Sequence, residues 1–428
     1  MRILLVSTYD LGHQPFGLAS PAAWLRAAGH RVCCADLSCR ELDEGEARAA
    51  DLVAFYLPMH TATRLAVKVI RRVRAVNPPA TICCYGLYAP LNAELLRGLG
   101  VDAILEGEFE SGLTALARGE RPETPLPRQR FLVPDRAGLP PAGGYARLIV
   151  NGEMRLAGYT EATRGCKHLC RHCPIVPVYG GAFRVVPREV VLADVRNQAA
   201  LGARHITFGD PDFFNGPGHA VRIVEALHTE FPKLTYDATI KIEHLLRHRD
   251  LLPVLKRTGC LFVTSAVESL DDAVLARLNK GHTRADFLEA VRLTREADLP
   301  LAPTFIPFTP WTTEAGYRDL LETIAELELV ENVAPVQLAM RLLITNGSPL
   351  LELPEIRAII GPFDRETLAY PWSHALDGLC REAQQTIRES NGASRTAFFG
   401  RLWSRLYAET PPLRDRAAIP YMTEPWYC

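Results

Sequence analysis

Short apolar segments alternate with amphipathic segments along residues 1–119 of the chain. The apolar segments are rich in β-branched residues, as buried strands are, and the segments between them carry apolar residues at helical spacing. This alternation predicts an α/β fold with a Rossmann-like, doubly wound parallel sheet that binds ligands at the carboxyl ends of its strands. The predicted strands are 3–6, 31–35, 52–56, 81–85 and 103–105, with helices near 19–29, 61–76, 92–98 and 110–118.

A second run of alternating strands and helices begins at Tyr159. Six consecutive strand–helix units predict a partial (β/α)6 barrel of the TIM type over residues 158–352, with its site at the carboxyl ends of the strands. The predicted strands are 159–162, 205–208, 234–238, 261–266, 301–305 and 336–343, with helices near 187–201, 217–229, 243–257, 271–278, 284–297 and 314–329.

The segments outside these two regions complete the predicted domain organisation. Residues 120–157 are rich in proline and glycine and are predicted to be a linker. Residues 353–428 are predicted to form a small helical C-terminal region, with helices at 365–390 and 394–407 and a tail that ends in Cys428. No Gly-x-Gly-x-x-Gly follows the first predicted strand, which disfavours a dinucleotide site in the first domain.

Composition narrows the class of protein. A chain of 428 residues with 48% hydrophobic residues is long enough for two or three domains with large cores. The net charge of −1 indicates neither a nucleic-acid partner nor a membrane partner. No run of about eighteen apolar residues occurs, so no membrane span is predicted. Eleven cysteines, an odd number without a disulfide framework, predict a reducing, cytoplasmic location.

Three of these cysteines carry the strongest chemical signal, because they follow a Cys-x3-Cys-x2-Cys spacing: Cys166, Cys170 and Cys173. Three thiolates can hold an iron–sulfur cluster and leave one iron without a protein ligand, whereas a ferredoxin-type cluster uses four cysteines. The next cysteine along the chain is Cys260. The alternative is a structural zinc site completed by His168 or His172, although the second ligand pair that such sites usually bring is absent.

The cysteine motif resembles the signature of the radical S-adenosylmethionine (SAM) enzymes, and the resemblance extends over residues 159–351. It implies a [4Fe-4S] cluster whose fourth iron chelates the amino and carboxylate groups of SAM. It further implies that the Gly-Asp-Pro-Asp segment after the second strand, with Asp210 and Asp212, meets the SAM amino group. An Asx turn is the structural alternative for both aspartates. Lys241, at the end of the third strand, would pair with the SAM carboxylate or with Asp210, or would be a solvated lysine.

The fourth and sixth predicted strands end in further candidates. The resemblance implies that Glu268 and Ser269 bind the ribose hydroxyls of SAM, since a carboxylate can accept two hydrogen bonds from a diol. A helix N-cap is the alternative for Ser269. Arg341 lies in an apolar segment, and a buried arginine needs an anion. That anion would be a substrate or SAM carboxylate, or the partner in a structural ion pair.

The first domain resembles the cobalamin-binding domain that precedes many radical SAM barrels. The matching positions are Gly12 after the first strand, residues 57–60 after the third, Gly86 after the fourth, and Glu106 in the Glu-Gly-Glu-Phe-Glu segment after the fifth. The Asp-x-His-x-x-Gly element that supplies a histidine to cobalt is missing, and His13 stands at the wrong spacing to replace it. The resemblance implies cobalamin as a cofactor, because members of this class often bind it without a histidine from the protein, and a degenerate domain without cobalamin is the alternative.

A narrower resemblance covers nearly the whole chain, through phrases such as Gly-Asp-Pro-Asp-Phe, Ala-Val-Glu-Ser and Phe-Thr-Pro-Trp-Thr-Thr. These phrases resemble a radical SAM group of unassigned function whose tail reads Cys-Cys-Ala-Glu-Pro or Cys-Sec-Ala-Glu-Pro. The first two residues of that tail form a Cys-Cys or Cys-Sec pair. The resemblance implies that Cys428 is the first, catalytic residue of this pair and that a selenocysteine codon follows it. An incidental terminal cysteine is the alternative.

Together these features predict a radical SAM enzyme that transfers a methyl or alkyl group to an unidentified small molecule or peptide. A flavodoxin or ferredoxin would supply the electron. The alternative is a redox-sensing or metal-binding iron–sulfur protein that does not cleave SAM. In both readings the cluster thiolates bind iron, and the two differ in whether SAM is consumed.

Overall fold

A computed structural model of the protein describes residues 1–121, 129–390, 394–407, 409, 411, 413 and 418–423. Cys428 lies outside these described residues, so its catalytic role stays a prediction. The described chain forms a five-stranded sheet, a seven-stranded sheet and a two-stranded hairpin, with helices packed on the two larger sheets. This arrangement confirms the predicted α/β class.

The first sheet is parallel throughout and has the strand order β2-β1-β3-β4-β5. Separate apolar clusters cover its two faces, which explains why its strands are apolar at successive positions and not at alternate ones. Its strands are β1 (Arg2–Ser7), β2 (Arg31–Asp36), β3 (Leu52–Tyr56), β4 (Thr81–Tyr85) and β5 (Ala103–Leu105). Its helices are α1 (Phe16–Ala27), α2 (Glu44–Ala49), α3 (His60–Val76), α4 (Tyr88–Leu91), α5 (Ala93–Gly98) and α6 (Glu110–Ala117).

The second sheet has the order β13-β12-β11-β10-β7-β6-β14, in which β7 and β10 to β13 run parallel as in a partial barrel. Its strands and the hairpin strands are β6 (Arg147–Val150), β7 (Glu153–Thr160), β8 (Thr163–Gly165), β9 (Phe183–Val185), β10 (His205–Phe208), β11 (Thr235–Thr239), β12 (Cys260–Glu268), β13 (Leu301–Phe305) and β14 (Tyr421–Met422). The helices are α7 (Val176–Tyr179), α8 (Arg188–Ala200), α9 (Pro217–Glu230), α10 (Ile242–Arg247), α11 (Leu252–Arg257), α12 (Asp272–Leu278), α13 (Arg284–Glu296) and α14 (Glu314–Glu326).

Two predicted segments of this region differ from the structure. Residues 336–343 do not form a sixth strand: a 3-10 turn covers Pro335–Leu338, and a single bridge joins Arg341 to Phe308. The predicted linker contains β6 and the first five residues of β7, and the two strands pair antiparallel at the edge of the sheet. β14 then pairs with β6, so a returning C-terminal segment protects that edge.

The C-terminal region contributes three helices, α15 (Pro354–Arg357), α16 (Asp377–Glu389) and α17 (Arg395–Tyr407). The predicted helix over 365–390 begins only at Asp377, because the chain before it folds back through bridges between Ile360 and Trp372 and between Asp364 and Ala369. The apolar faces of α16 and α17 join the core of the barrel. The region therefore completes the barrel core.

Candidate active site

The three cysteines of the motif lie in the loop between β8 and α7, beyond the carboxyl end of β7. The loop follows Gly165, which has a φ of +75° and sits against the last residue of α7 and the chain just after it. A Cβ atom at Gly165 would lie 2.4 Å from the ring of Tyr179 and 2.6 Å from the carbonyl oxygen of Ala182. Only glycine fits there, so the backbone delivers the first cysteine at a defined position.

Burial and charge set the chemistry of these thiols. Burial raises the pKa of Cys166 to about 11 and that of Cys173 to about 12, so both are neutral thiols unless a cation binds them. Lys241 and Lys280 act in the opposite sense on Cys166 and Cys173 respectively. A metal cluster would supply the missing positive charge, and the two ammonium groups would stabilise its thiolate ligands.

The positions of the two histidines disfavour the zinc alternative. Nε2 of His168 lies 3.4 Å from Oδ2 of Asp212, and its Nδ1 lies 3.7 Å from Oε2 of Glu243. Nε2 of His172 lies 3.1 Å from Oε1 of Glu268. Both histidines that could complete a zinc site with the cysteines thus face carboxylates, and the three thiols suit a [4Fe-4S] cluster with one iron free of protein ligands.

Glu268 ends β12 in a strained, buried position beside the cysteine loop. Its φ is +69°, in the left-handed region that non-glycine residues rarely adopt, and the register of β12 with β13 shifts there. Its Oε1 atom lies 3.2 Å from Nζ of Lys280 and 3.1 Å from Nε2 of His172. Burial raises the pKa of Glu268, but Lys280 and then His172 outweigh this effect and lower it to about 2. Glu268 is therefore a fixed negative charge.

Lys280 is a site residue that the sequence motif did not identify. It is 3% exposed and follows Asn279, whose left-handed conformation ends α12 and turns the chain back toward β12. Burial lowers the pKa of Lys280, but Glu268 reverses this effect and raises it overall, so the pair is ionised. In the sequence, an asparagine followed by Lys-Gly-His indicates that the helix ends and the chain turns back. This signal does not specify that Lys280 pairs with Glu268.

We expect Lys280→Met to lower the free energy of unfolding by about 3 kcal/mol, because it leaves the Glu268 carboxylate buried without its main partner. The double variant Glu268→Gln/Lys280→Met should be less destabilised than Lys280→Met, because the uncompensated charge is removed as well. Denaturant unfolding of the apo protein measures both. The control Lys256→Met breaks an exposed pair with Asp298 and should cost below about 1 kcal/mol. Additive effects of the two substitutions would contradict the pairing.

The other predicted SAM-binding residues stand around the same loop. Asp210 is buried, and its two carboxylate oxygens accept hydrogen bonds from the Ala162 amide at 2.8 Å and the Thr163 hydroxyl at 2.5 Å. Burial raises its pKa to about 7. Lys241 lies 3.8 Å from Glu243 and forms an ion pair with it. Asp210 therefore shapes the chain before the cysteines, and contact of Asp210 and Lys241 with SAM stays a prediction.

Hydrogen bonds at the start of α12 decide one alternative for Ser269. The N-cap of α12 is Asp271, whose carboxylate accepts from two backbone amides, so the N-cap reading of Ser269 is wrong. The Ser269 hydroxyl accepts a hydrogen bond from the Asp271 amide at 3.1 Å. Binding of ribose by Ser269 stays a prediction.

Arg341 has its anionic partner within the fold. Its guanidinium pairs with the Asp377 carboxylate at the start of α16 and donates to the Trp372 carbonyl, while it stacks 3.6 Å from the centre of the Trp372 ring. These contacts match the structural ion pair that the sequence left open. They remove the need for an external anion, and a catalytic role for Arg341 stays a prediction.

The carboxyl edge of the first sheet carries the predicted cobalamin positions. Gly12 and Gly86 have positive φ values of 71° and 100°, and a Cβ atom at Gly86 would lie 2.8 Å from the Leu57 carbonyl oxygen. The hydroxyl of Ser7, at the end of β1, is buried without a hydrogen-bond partner in the described part of the chain. Glu106 is exposed. The loops thus pack tightly here, and cofactor binding by Glu106 stays a prediction.

The two glutamates after Glu106 join the first domain to the cysteine loop. Glu110 and Glu108 lie 2.6 Å and 3.2 Å from Nη1 of Arg164, and Glu161 lies 2.7 Å from its Nε. All four side chains are buried or nearly so, and Arg164 stands two residues before the first cysteine of the motif. Burial raises the pKa of Glu161 to about 7 despite the arginine. The motif in the sequence indicated this loop but not which of its glutamates is buried.

Comparison with known families identifies the second region. Residues 160–324 match the model of the Radical SAM superfamily. Among curated proteins, the hopanoid C-3 methylase of Methylococcus capsulatus is 25% identical over 341 residues, which is 73% of this chain and 64% of the methylase. The ribosomal protein uS12 methylthiotransferase RimO of Geobacter sulfurreducens is 28% identical over 42% of each chain. The chain thus spans less than two thirds of the length of these relatives.

Solved structures share the fold of most of this chain. The radical SAM methyltransferase TsrM of Kitasatospora setae, with tryptophan and a SAM analogue bound, superposes with a TM-score of 0.67 over 94% of this chain and 89% of TsrM, at 16% identity. The cobalamin-dependent SAM radical enzyme OxsB, with aqua-cobalamin bound, superposes with a TM-score of 0.69 over 95% of this chain and 70% of OxsB, at 14% identity. Both likenesses concern the fold alone.

Proposed function

We propose, from the premise that residues 160–324 form a radical SAM domain, that this protein is an enzyme that reductively cleaves SAM and transfers a methyl or alkyl group. The observation that carries the proposal is the cysteine loop. Its three buried or half-buried thiols lie beyond the carboxyl ends of barrel strands, where Lys241 acts on Cys166 and Lys280 acts on Cys173. When bound, the cluster supplies the electron for cleavage of the SAM sulfonium.

The protein residues hold and shield this chemistry. Arg164 and Gly165 set the start of the cysteine loop. Lys241 and Lys280 balance the negative charge of the thiolates. Glu268 offers a carboxylate at the end of β12. A fixed, buried carboxylate can bind a ribose diol through two hydrogen bonds, and Lys280 keeps it ionised for that purpose. Orientation, charge balance and exclusion of water are the contributions expected of the protein in a cofactor enzyme.

Cobalamin is the proposed second cofactor, bound at the carboxyl edge of the first sheet. The strand order there and the free hydroxyl of Ser7 at the end of β1 support a ligand at this edge. Gly12 and Gly86 let the neighbouring loops lie close to it. The ring centres of His13 and Tyr159 lie 4.8 Å apart, and His13 lacks the spacing of the usual cobalt-binding motif. We therefore propose that the cobalt has no histidine ligand from this chain.

Radical SAM enzymes need a reductant, and a flavodoxin or ferredoxin is the proposed electron donor. Within the described ranges, no helix is both long and apolar enough to cross a bilayer. A cytoplasmic location is proposed because cysteine ligands of an iron–sulfur cluster must stay reduced. The substrate is proposed to be a small molecule or a peptide.

The test is an anaerobic assay of full-length protein reconstituted with iron, sulfide and cobalamin, then given SAM and dithionite. We expect 5′-deoxyadenosine or S-adenosylhomocysteine above background and cobalamin retained after desalting. The variant Cys166→Ala/Cys170→Ala/Cys173→Ala should lose the products together with its iron. The control Cys39→Ala removes an exposed cysteine outside the motif and should keep both. An iron-loaded protein that forms no product would favour the iron–sulfur protein without SAM cleavage.

A further inference from the structure

We propose that His168, Asp212 and His244 form a mononuclear site for a borderline divalent transition metal, Zn²⁺ or Fe²⁺, beside the [4Fe-4S] cluster and separate from it. One ligand atom from each residue lies within 4.8 Å of the other two. Asp212 and His244 are fully buried, and the side chain of His168 is 14% exposed. Two imidazoles and one carboxylate form a donor set that such ions bind with open coordination positions.

The facing atoms are close together without being hydrogen bonded. Nδ1 of His244 lies 2.6 Å from Oδ2 of Asp212, and Nε2 of His168 lies 3.4 Å from the same oxygen. All three atoms are buried and lack a hydrogen-bond partner in the described part of the chain. Buried polar atoms without partners are costly, and a shared cation would satisfy all three at once.

In two of the three ligands, the polar atom that faces away from the site has a partner in the protein, as is usual for metal ligands. Oδ1 of Asp212 accepts a hydrogen bond from the Phe214 amide at 3.1 Å, which directs Oδ2 toward the histidines. Nδ1 of His168 faces Oε2 of Glu243 at 3.7 Å, a carboxylate–histidine arrangement that orients an imidazole toward a metal. The Glu243 carboxylate also pairs with Arg247 at 2.8 Å and with Lys241 at 3.8 Å. Phe214 and Glu243 thus orient two of the three ligands.

The site would connect three elements that are distant in sequence. His168 lies between the first two cysteines of the motif, Asp212 follows β10, and His244 lies on α10. Coordination would therefore anchor the cysteine loop to the barrel. A bound ion that closes such long loops stabilises the fold by reducing the freedom of the unfolded chain.

The test is a titration of the full-length, cluster-loaded protein with Co²⁺ under anaerobic conditions. We expect one equivalent to bind in addition to the cluster iron, with the visible absorption of nitrogen and oxygen ligation, and to raise the melting temperature. The variants Asp212→Asn and His244→Gln should weaken Co²⁺ binding at least tenfold. The control His248→Gln changes a half-buried histidine whose ring lies 5.8 Å from that of His244 and should leave the affinity unchanged.

Three outcomes would overturn the proposal: no saturable Co²⁺ binding by the wild type, unchanged affinity in Asp212→Asn or His244→Gln, or a strong sulfur-to-cobalt charge-transfer band. The last outcome would place the ion on cysteines, and it is read from the wild type alone, so it applies even if the variants fail to fold. Because Co²⁺ binding is measured without SAM, failure of this site and failure of the proposed enzyme activity are distinguishable.

Discussion

Replacing Arg164 by methionine is expected to lower the free energy of unfolding by about 5 kcal/mol, the upper end of the range for breaking a buried ion pair. The guanidinium contacts three carboxylates, those of Glu108, Glu110 and Glu161, and also lies 3.1 Å from the Ser20 hydroxyl. Methionine keeps much of the volume but leaves the carboxylates facing one another without a cation. The first domain and the cysteine loop share this one cation, so both should loosen.

Denaturant unfolding of the apo protein measures the loss, and limited proteolysis between the domains reports the loosening. The matched control is Arg196→Met, because Arg196 forms a two-hydrogen-bond pair with Glu230 at the surface. Exposed pairs contribute below about 1 kcal/mol, so this variant should resemble the wild type. Adding Glu110→Gln to Arg164→Met should recover part of the stability. Equal stabilities of the Arg164 and Arg196 variants would show that the buried network does not hold the domains.

Replacing Gly165 by alanine is expected to remove nearly all cluster iron and, with it, SAM cleavage. A left-handed φ costs a non-glycine residue about 1–2 kcal/mol. The added methyl group would also overlap the Tyr179 ring and the Ala182 carbonyl oxygen, at 2.4 and 2.6 Å, so the hairpin of β8 and β9 must shift. Cys166, the first cysteine of the motif, directly follows Gly165. If its thiol is misplaced, it cannot complete the ligand set of the cluster.

Iron and sulfide content after anaerobic reconstitution measures this effect. Gly180, directly after α7, is a close control because it also has a positive φ, of 55°, but nothing lies within 4 Å of its added Cβ atom. Gly180→Ala should therefore cost only the backbone strain, about 1 kcal/mol, and keep its cluster. A Gly165→Ala protein with wild-type iron content would mean that the close approach of Tyr179 does not define the loop.

Much of the fold was predictable because strands and helices follow local periodicity. All five strands of the first sheet and five of the six predicted barrel strands are present. The exception, residues 336–343, has the apolar composition of a strand, but there the chain passes through a 3-10 turn and makes only one bridge. The guanidinium of Arg341, within that segment, is held by Asp377 and Trp372, which are 36 and 31 residues away in sequence. Periodicity contains no information about such distant partners.

The active site likewise combines features that follow from neighbouring residues with contacts between residues distant in sequence. The spacing of its three cysteines was sufficient to predict a cluster with an open iron, because thiolate ligands close in sequence need only a short loop. Glu268 was predicted from its motif, yet its partners Lys280 and His172 come from two other segments. The buried glutamates after the fifth strand, Glu108 and Glu110, proved to be those that bind Arg164, and Glu106 is exposed.

The sequence by itself determined the order of the two α/β regions and the three thiols of the cluster motif, since both depend on residues that are neighbours along the chain. Only the tertiary structure decided which charges are paired. It brought Arg164 to two glutamates of the first domain and His168 to Asp212 and His244. The physical reason is burial: a charge removed from water needs a partner in space, and that partner can come from any part of the chain.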